Sequence, residues 1–217
     1  MSIVIRTLSD RVFENVRERI VTGELREDTP IRQDALANEL GVSKIPLREA
    51  LARLEQVGLL TSQANRGYTI RGMSAAEVEE IYELRLAVEP VAAGYGAMHA
   101  SAADQEAALT AYRLLDAAAA GDLPQVAVCN RNFHTALVRP GGRELTTQLV
   151  ERLAVLAERY VVAHLKPAGR EDRAHIEHRH LIDAWMARDV ASLVSLMATH
   201  LSGTLIDLRA QFNVIAN

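Results

Sequence analysis

From Ser9 to Thr22 the apolar residues Val12, Phe13, Val16 and Ile20 recur at helical spacing. Ser9 or Asp10 is placed to cap that helix and Gly23 to end it. A second, shorter helix is expected from about Arg32 to Leu40, closed by Gly41 just beyond its C-cap. The third begins behind Ser43, a good N-cap residue, with Pro46 in its first turn, where a missing N–H costs little. Leu47, Leu51, Leu54 and Val57 give this helix a buried stripe, and Gly58 stops it. The stretch LLTSQ-ANRG-YTIRG then reads as two short strands around a tight turn, with Gly67 near the bend. Helix, helix, short turn, helix and β-hairpin is the layout of a winged helix-turn-helix. Only Gly41 and Val42 separate its two middle helices.

After Ser74 the periodicity becomes almost wholly helical. Six helices are expected, roughly over 75–99, 102–119, 123–138, 142–165, 171–187 and 189–214, with Asp189 capping the last. The predicted fold is mainly α. A winged helix-turn-helix domain occupies 1–73, and an all-α six-helix antiparallel bundle occupies 74–217. Gly72-Met73-Ser74 is the natural linker between them, and its shortness suggests coupled domains.

Charge separates the same two segments. The net charge of −4 hides an asymmetry: residues 1–73 hold 11 Lys+Arg against 10 Asp+Glu, and residues 74–217 hold 13 against 18. All seven histidines lie in the second segment. A mildly acidic chain can still bind nucleic acid, because the local clustering of cations decides. No run of 18 apolar residues is present, so no membrane span is expected. The N-terminus turns charged too early for a signal peptide. The single cysteine, Cys129, excludes an intrachain disulfide scaffold and a cysteine-based zinc cluster. It fits a reducing cytosol and is expected to be a buried structural thiol.

The third helix carries Lys44 and Arg48 four residues apart, hence on one face, near its N-terminal end beside Ser43. A recognition helix reads base edges with such residues. Arg66, next to Gly67 at the hairpin tip, can reach a phosphate or the minor groove, and Arg32 a backbone phosphate.

At this point the residues carry a resemblance. ALANELGVSKIPLREALARLEQVGLL followed by NRGYTI is similar to the winged helix-turn-helix of the GntR family of bacterial transcription regulators, over about residues 6–72. The resemblance implies operator contacts by Lys44, Arg48 and the wing around Arg66. Lys44 stands where that family often has Arg, and Asp34 where some members carry Arg.

The second segment holds a histidine pattern. Asn130 and His134 share a helix face, His178 lies on a later helix and His200 on the last. Imidazoles from three helices suit Zn²⁺ or Ni²⁺, but spacing alone does not establish a site and favours scattered core or surface histidines. YELRLAVEPVAA, NRNFHTAL and EHRHLIDAWMARDVASLVSLMATHL resemble the helical FCD ligand-binding domain, and the helix count resembles the VanR-like branch of the FadR subfamily. That resemblance implies a divalent transition metal held by Asn130, His134, His178 and His200. His175 and His180 are then surface or supporting groups, and His99 and His164 lie at helix ends. Arg85 is either an effector clamp for a carboxylate, the partner of Glu89 at i, i+4, or one side of an interdomain salt bridge.

The sequence therefore reads as a cytoplasmic, homodimeric DNA-binding regulator, most simply a repressor, on a pseudo-palindromic double-stranded operator. A small organic acid bound at the metal would modulate it. Two rival readings are a direct metal-ion sensor and a metal-dependent hydrolase fused to a DNA-binding domain. The hydrolase lacks an HExxH motif, and Glu177 is expected to point away from the metal face.

Overall fold

The computed structural model describes residues 7–63, 67–119, 123–165 and 170–215. The chain divides into two compact units, Met1–Met73 and Ser74–Asn217.

In the first unit the helix α1 (Leu8–Thr22) is capped by Thr7, not by Ser9 or Asp10. The Thr7 hydroxyl accepts the Asp10 N–H at 3.1 Å, and the Asp10 carboxylate accepts the Thr7 N–H at 2.9 Å. This reciprocal box satisfies two orphan donors at once, which a lone Ser9 cap would not. The T-x-x-D spelling of residues 7–10 carries this signal in the sequence. Helices α2 (Gln33–Glu39) and α3 (Lys44–Gln56) follow. Gly41, at φ +64°, makes the left-handed step between them that a Cβ would disfavour. Strands β1 (Leu60–Gln63) and β2 (Gly67–Ile70) pair antiparallel, with Leu60 opposite Ile70 and Gln63 opposite Gly67.

The core of this unit is the predicted one. Val12, Phe13, Val16 and Ile20 of α1 meet Leu47, Leu51 and Leu54 of α3, all buried. Each such side chain contributes roughly 1.5–3 kcal/mol through burial. Val57 departs from the predicted stripe: it is the C-cap residue and only half-buried. Arg53 of α3 bonds Asp10 at 2.7 Å and lies over the Phe13 ring, tying α3 to the start of α1.

The second unit contains α4 (Ala75–His99), α5 (Ala102–Ala118), α6 (Leu123–Val138), α7 (Glu144–Leu165), α8 (Arg170–Met186) and α9 (Val190–Ile215). A 3-10 turn over Arg139–Gly141 delays α7 beyond the expected start at 142. As expected, Asp189 caps α9, accepting the Ser192 N–H at 3.1 Å. Helix α4 packs along α9 and against α6 and α7, α5 packs on α6, and α8 packs on α9. At Gly96 a Cβ would fall 1.8 Å from the Leu137 carbonyl oxygen, so α4 approaches α6 there as only glycine allows. The Trp185 indole N–H donates to that same oxygen at 2.9 Å, which brings α8 to the same point.

Helix α9 passes a test of length and composition that a search for unbroken apolar runs does not register. Over Val190–Phe212 its mean hydropathy of 1.3 makes it long and apolar enough to cross a membrane. Interleaved Ser, Thr and Gly hide this from a search for unbroken apolar runs. In the fold its Leu193, Met197, Leu201, Leu205 and Leu208 are buried in the bundle.

Candidate metal centre and nucleic-acid interface

Apolar neighbours orient each histidine inward. His134 lies between buried Phe133 and Leu137 on α6, His178 precedes buried Leu181 and Ile182 on α8, and His200 precedes buried Leu201 on α9. One ring nitrogen from each of His134, His178 and His200 lies within 4.8 Å of the other two. The ring centroids are 5.9, 5.4 and 4.7 Å apart for the pairs 134–178, 134–200 and 178–200. All three side chains are buried, and the Nε2 atoms of His134 and His178 have no hydrogen-bond partner. Burial holds His134 at about 4, outweighing the opposite pull of Glu89, and depresses His178 well below the usual imidazole range. Both rings are therefore neutral at pH 7. A buried lone pair without a partner is costly, and a bound cation would use it. The donor set fits a borderline divalent metal.

Carboxylates stand behind two of the rings. Glu89 Oε2 lies 3.1 Å from His134 Nδ1, and Glu177 Oε2 lies 2.7 Å from His200 Nδ1. Such contacts fix the tautomer that leaves Nε2 as the ligating atom. Sequence reasoning missed both roles. Glu177 does turn away from His178, but toward His200 on the next helix. Arg85 makes the i, i+4 pair left open by the sequence, donating to Glu89 at 2.6 and 3.2 Å. Burial raises the Glu89 carboxyl, but Arg85 chiefly, helped by His134, carries it down to about 2.

A cavity adjoins the cluster and is open at its mouth, with about 40 Å³ of room for the centres of water-sized molecules. Arg85, Asn130, His178 and His200 form its polar end. Asn130 is buried one turn before His134. Leu115, Val126, Val161, Leu165 and Leu201 form its walls. At the mouth His175 Nδ1 and Asp116 Oδ1 lie 2.7 Å apart. His180 is exposed, and His99 Nδ1 lies 2.8 Å from the Tyr95 carbonyl at the end of α4. The His164 side chain lies outside the described residues. Cys129 is buried, and its sulfur accepts from Gln125 Nε2 at 3.5 Å.

In the first unit Ser43 occupies the N-cap position of α3, exposed and without a side-chain capping bond. Lys44 and Arg48 project from one exposed face. Lys44 Nζ lies 2.8 Å from Asp34, and Arg48 Nε donates to Gln33 Oε1 at 3.4 Å. Arg32 is the exposed N-cap of α2, and Gly67 begins β2 beside Gln33. Arg66 lies outside the described residues. Ile45, an apolar side chain 71% exposed on the first turn of α3, was not singled out from sequence.

Comparison with known proteins gives the same two parts. Residues 80–203 match the FCD domain, and residues 8–70 match the bacterial regulatory proteins of the gntR family. The uncharacterized HTH-type transcriptional regulator BphR of Paraburkholderia xenovorans is 28% identical over 221 residues, covering 97% of this chain and 89% of its own. The HTH-type transcriptional repressor GlaR of Escherichia coli is 29% identical over 196 residues, covering 86% and 89%. Among solved structures, E. coli McbR/YncC aligns with a TM-score of 0.81 at 21% identity, over 96% of this chain and all of that one. That likeness establishes the fold.

Proposed function

Because the chain belongs to the gntR family of bacterial regulatory proteins and carries an FCD domain, we propose that it is a homodimeric repressor controlled by a small organic acid bound at a divalent metal. Its relatives are transcription regulators, not enzymes, and DNA-binding regulation is its activity. The finer reading rests on one observation: two buried, neutral, unpartnered ring nitrogens lie in a three-histidine cluster beside a cavity.

His134, His178 and His200, with the neutral carbonyl oxygen of Asn130, would hold the metal, with Zn²⁺ or Ni²⁺ the best match to imidazole. When bound, the metal supplies a Lewis acid that attracts a carboxylate oxygen. Glu89 and Glu177 orient the rings, and Arg85 faces the cavity while its charge is shared with Glu89. Ser43, Lys44 and Arg48 on α3, Arg32 and the wing from Arg66 to Gly67 would meet a pseudo-palindromic operator in the cytoplasm. The name of the relative GlaR supports repression.

A second copy of the chain is supported by α4, which exposes Leu84, Val91 and Met98 at intervals of seven residues. Effector binding would shift the dimer between geometries that do and do not fit the half-site spacing.

The test is metal analysis of protein purified without chelators, followed by operator titration. About one transition-metal ion per chain, lost in His178→Ala, is the expected result. Protein that stays metal-free after reconstitution overturns the ligand set. Operator affinity that changes with metal alone, without any organic acid, favours the direct metal sensor.

A further inference from the structure

We propose that the effector is a monocarboxylate with an apolar body, of the arylcarboxylate or branched-chain class, and not a sugar acid or a dicarboxylate. This rests on the metal-site reading above and adds what the remainder of the cavity selects.

Polarity is concentrated at one end and is largely committed there. Arg85, the permanent cation among the described lining residues, has its guanidinium engaged by both oxygens of Glu89. The Thr204 hydroxyl donates to the His200 carbonyl at 3.1 Å. What remains for a ligand at this end is the metal position, Asn130 and the Arg85 N–H groups not given to Glu89, which together take one carboxylate.

Beyond that end the walls are aliphatic. Leu115 from α5, Val126 from α6, Val161 and Leu165 from α7 and Leu201 from α9 converge on the space. Hydroxyl groups of a sugar acid placed here would lose water without gaining partners. A second carboxylate would meet these walls or, at the mouth, the like-charged Asp116, whose own partner is His175. An aromatic ring or branched chain loses nothing polar in the same position and buries apolar surface. Tyr82 and Tyr112 also line the cavity and add aromatic surface to it.

The test uses full-length zinc-loaded protein titrated with benzoate, 3-methylbutanoate, gluconate and succinate, followed by calorimetry and thermal melting. Benzoate or 3-methylbutanoate should bind about 100-fold more tightly than gluconate or succinate, the order of discrimination an apolar pocket reaches against added polar groups. Val161→Thr, which keeps the side-chain shape, should weaken the apolar acids without releasing zinc. A preference for gluconate or succinate overturns the proposal and leaves the metal site standing. So does failure of both apolar acids to bind while zinc is retained. If the protein takes up no zinc, the metal-site reading falls, and the ranking of the same four acids on zinc-free protein decides the ligand class independently.

Discussion

Glu89 Oε2 lies 3.1 Å from His134 Nδ1, although the two residues are 45 positions apart and on different helices. Glu89 also neutralises Arg85, so one carboxylate serves both the ring orientation and a buried cation. Glu89→Gln keeps the side-chain shape but leaves Arg85 buried without its counter-charge. Breaking a buried pair in this way should cost about 3–5 kcal/mol in denaturant unfolding. Metal affinity should fall about 10- to 100-fold through loss of the carboxylate behind His134. The double variant Arg85→Met/Glu89→Gln should recover much of the stability but not the metal affinity. Recovery of both would show that Glu89 acts only as the partner of Arg85.

On α3 the two cations proposed to meet DNA each have a local partner. Lys44 is held by Asp34 and Arg48 by Gln33, and all of these contacts are exposed, where they are weak. Phosphate or base contacts can displace them. Arg48→Ala should reduce affinity for a selected operator duplex by about 1–3 kcal/mol while metal content is unchanged. Asp34→Asn should release Lys44, raise affinity for any duplex and steepen the salt dependence by about one phosphate contact. Fluorescence anisotropy across a salt series reads both. Unchanged affinity in Arg48→Ala would remove it from the interface.

What the sequence disclosed and what it concealed differ in physical kind. The stripe Leu47, Leu51 and Leu54, the Gly41 turn and the pairing of Asn130 with His134 are local periodicities and survive folding unchanged. The convergence of His178 and His200 on His134 depends on how α6, α8 and α9 cross, and no local pattern encodes that; the family resemblance supplied it. The roles of Glu89 and Glu177 behind the rings were not legible, because each acts on a histidine of another helix. Arg85 and Glu89 were legible as an i, i+4 pair, but their depth was not. The Thr7 cap was legible and lost to a competing signal two residues later.

Asp10 links local and tertiary order. Hydrogen bonds from the Thr7 N–H and hydroxyl, then from Arg53, lower its carboxyl from 3.8 to about 2. A carboxyl depressed by folding contributes stability that is fully present above its unfolded value. That contribution is lost as pH falls from about 3.8 through about 2. Hydrogen-exchange protection factors of the α1 amides should therefore fall on acidification across that window. Asp10→Asn should exchange faster at neutral pH and lose this part of the acid dependence. Thr7→Ala removes the cap itself and should cost about 1 kcal/mol at neutral pH.

Along α4 the side chains Leu84, Val91 and Met98 are 42%, 53% and 56% exposed, with Ala87 between the first two. The seven-residue interval keeps them on one stripe of the helix. Scattered exposed leucines need no explanation, but an aligned apolar seam of this length is a surface that water covers poorly. A symmetry-related α4 from a second copy would bury Val91 against its own counterpart near the two-fold axis. Val91→Glu would then place two carboxylates together in an apolar seam, a cost that Val91→Ala does not impose. Sedimentation or light scattering should find Val91→Glu monomeric and Val91→Ala still dimeric, with metal content equal in both. The monomer should also bind a full operator far more weakly than a dimer, since two half-sites are no longer engaged together. A Val91→Glu protein that remains dimeric would move the interface off this face of α4.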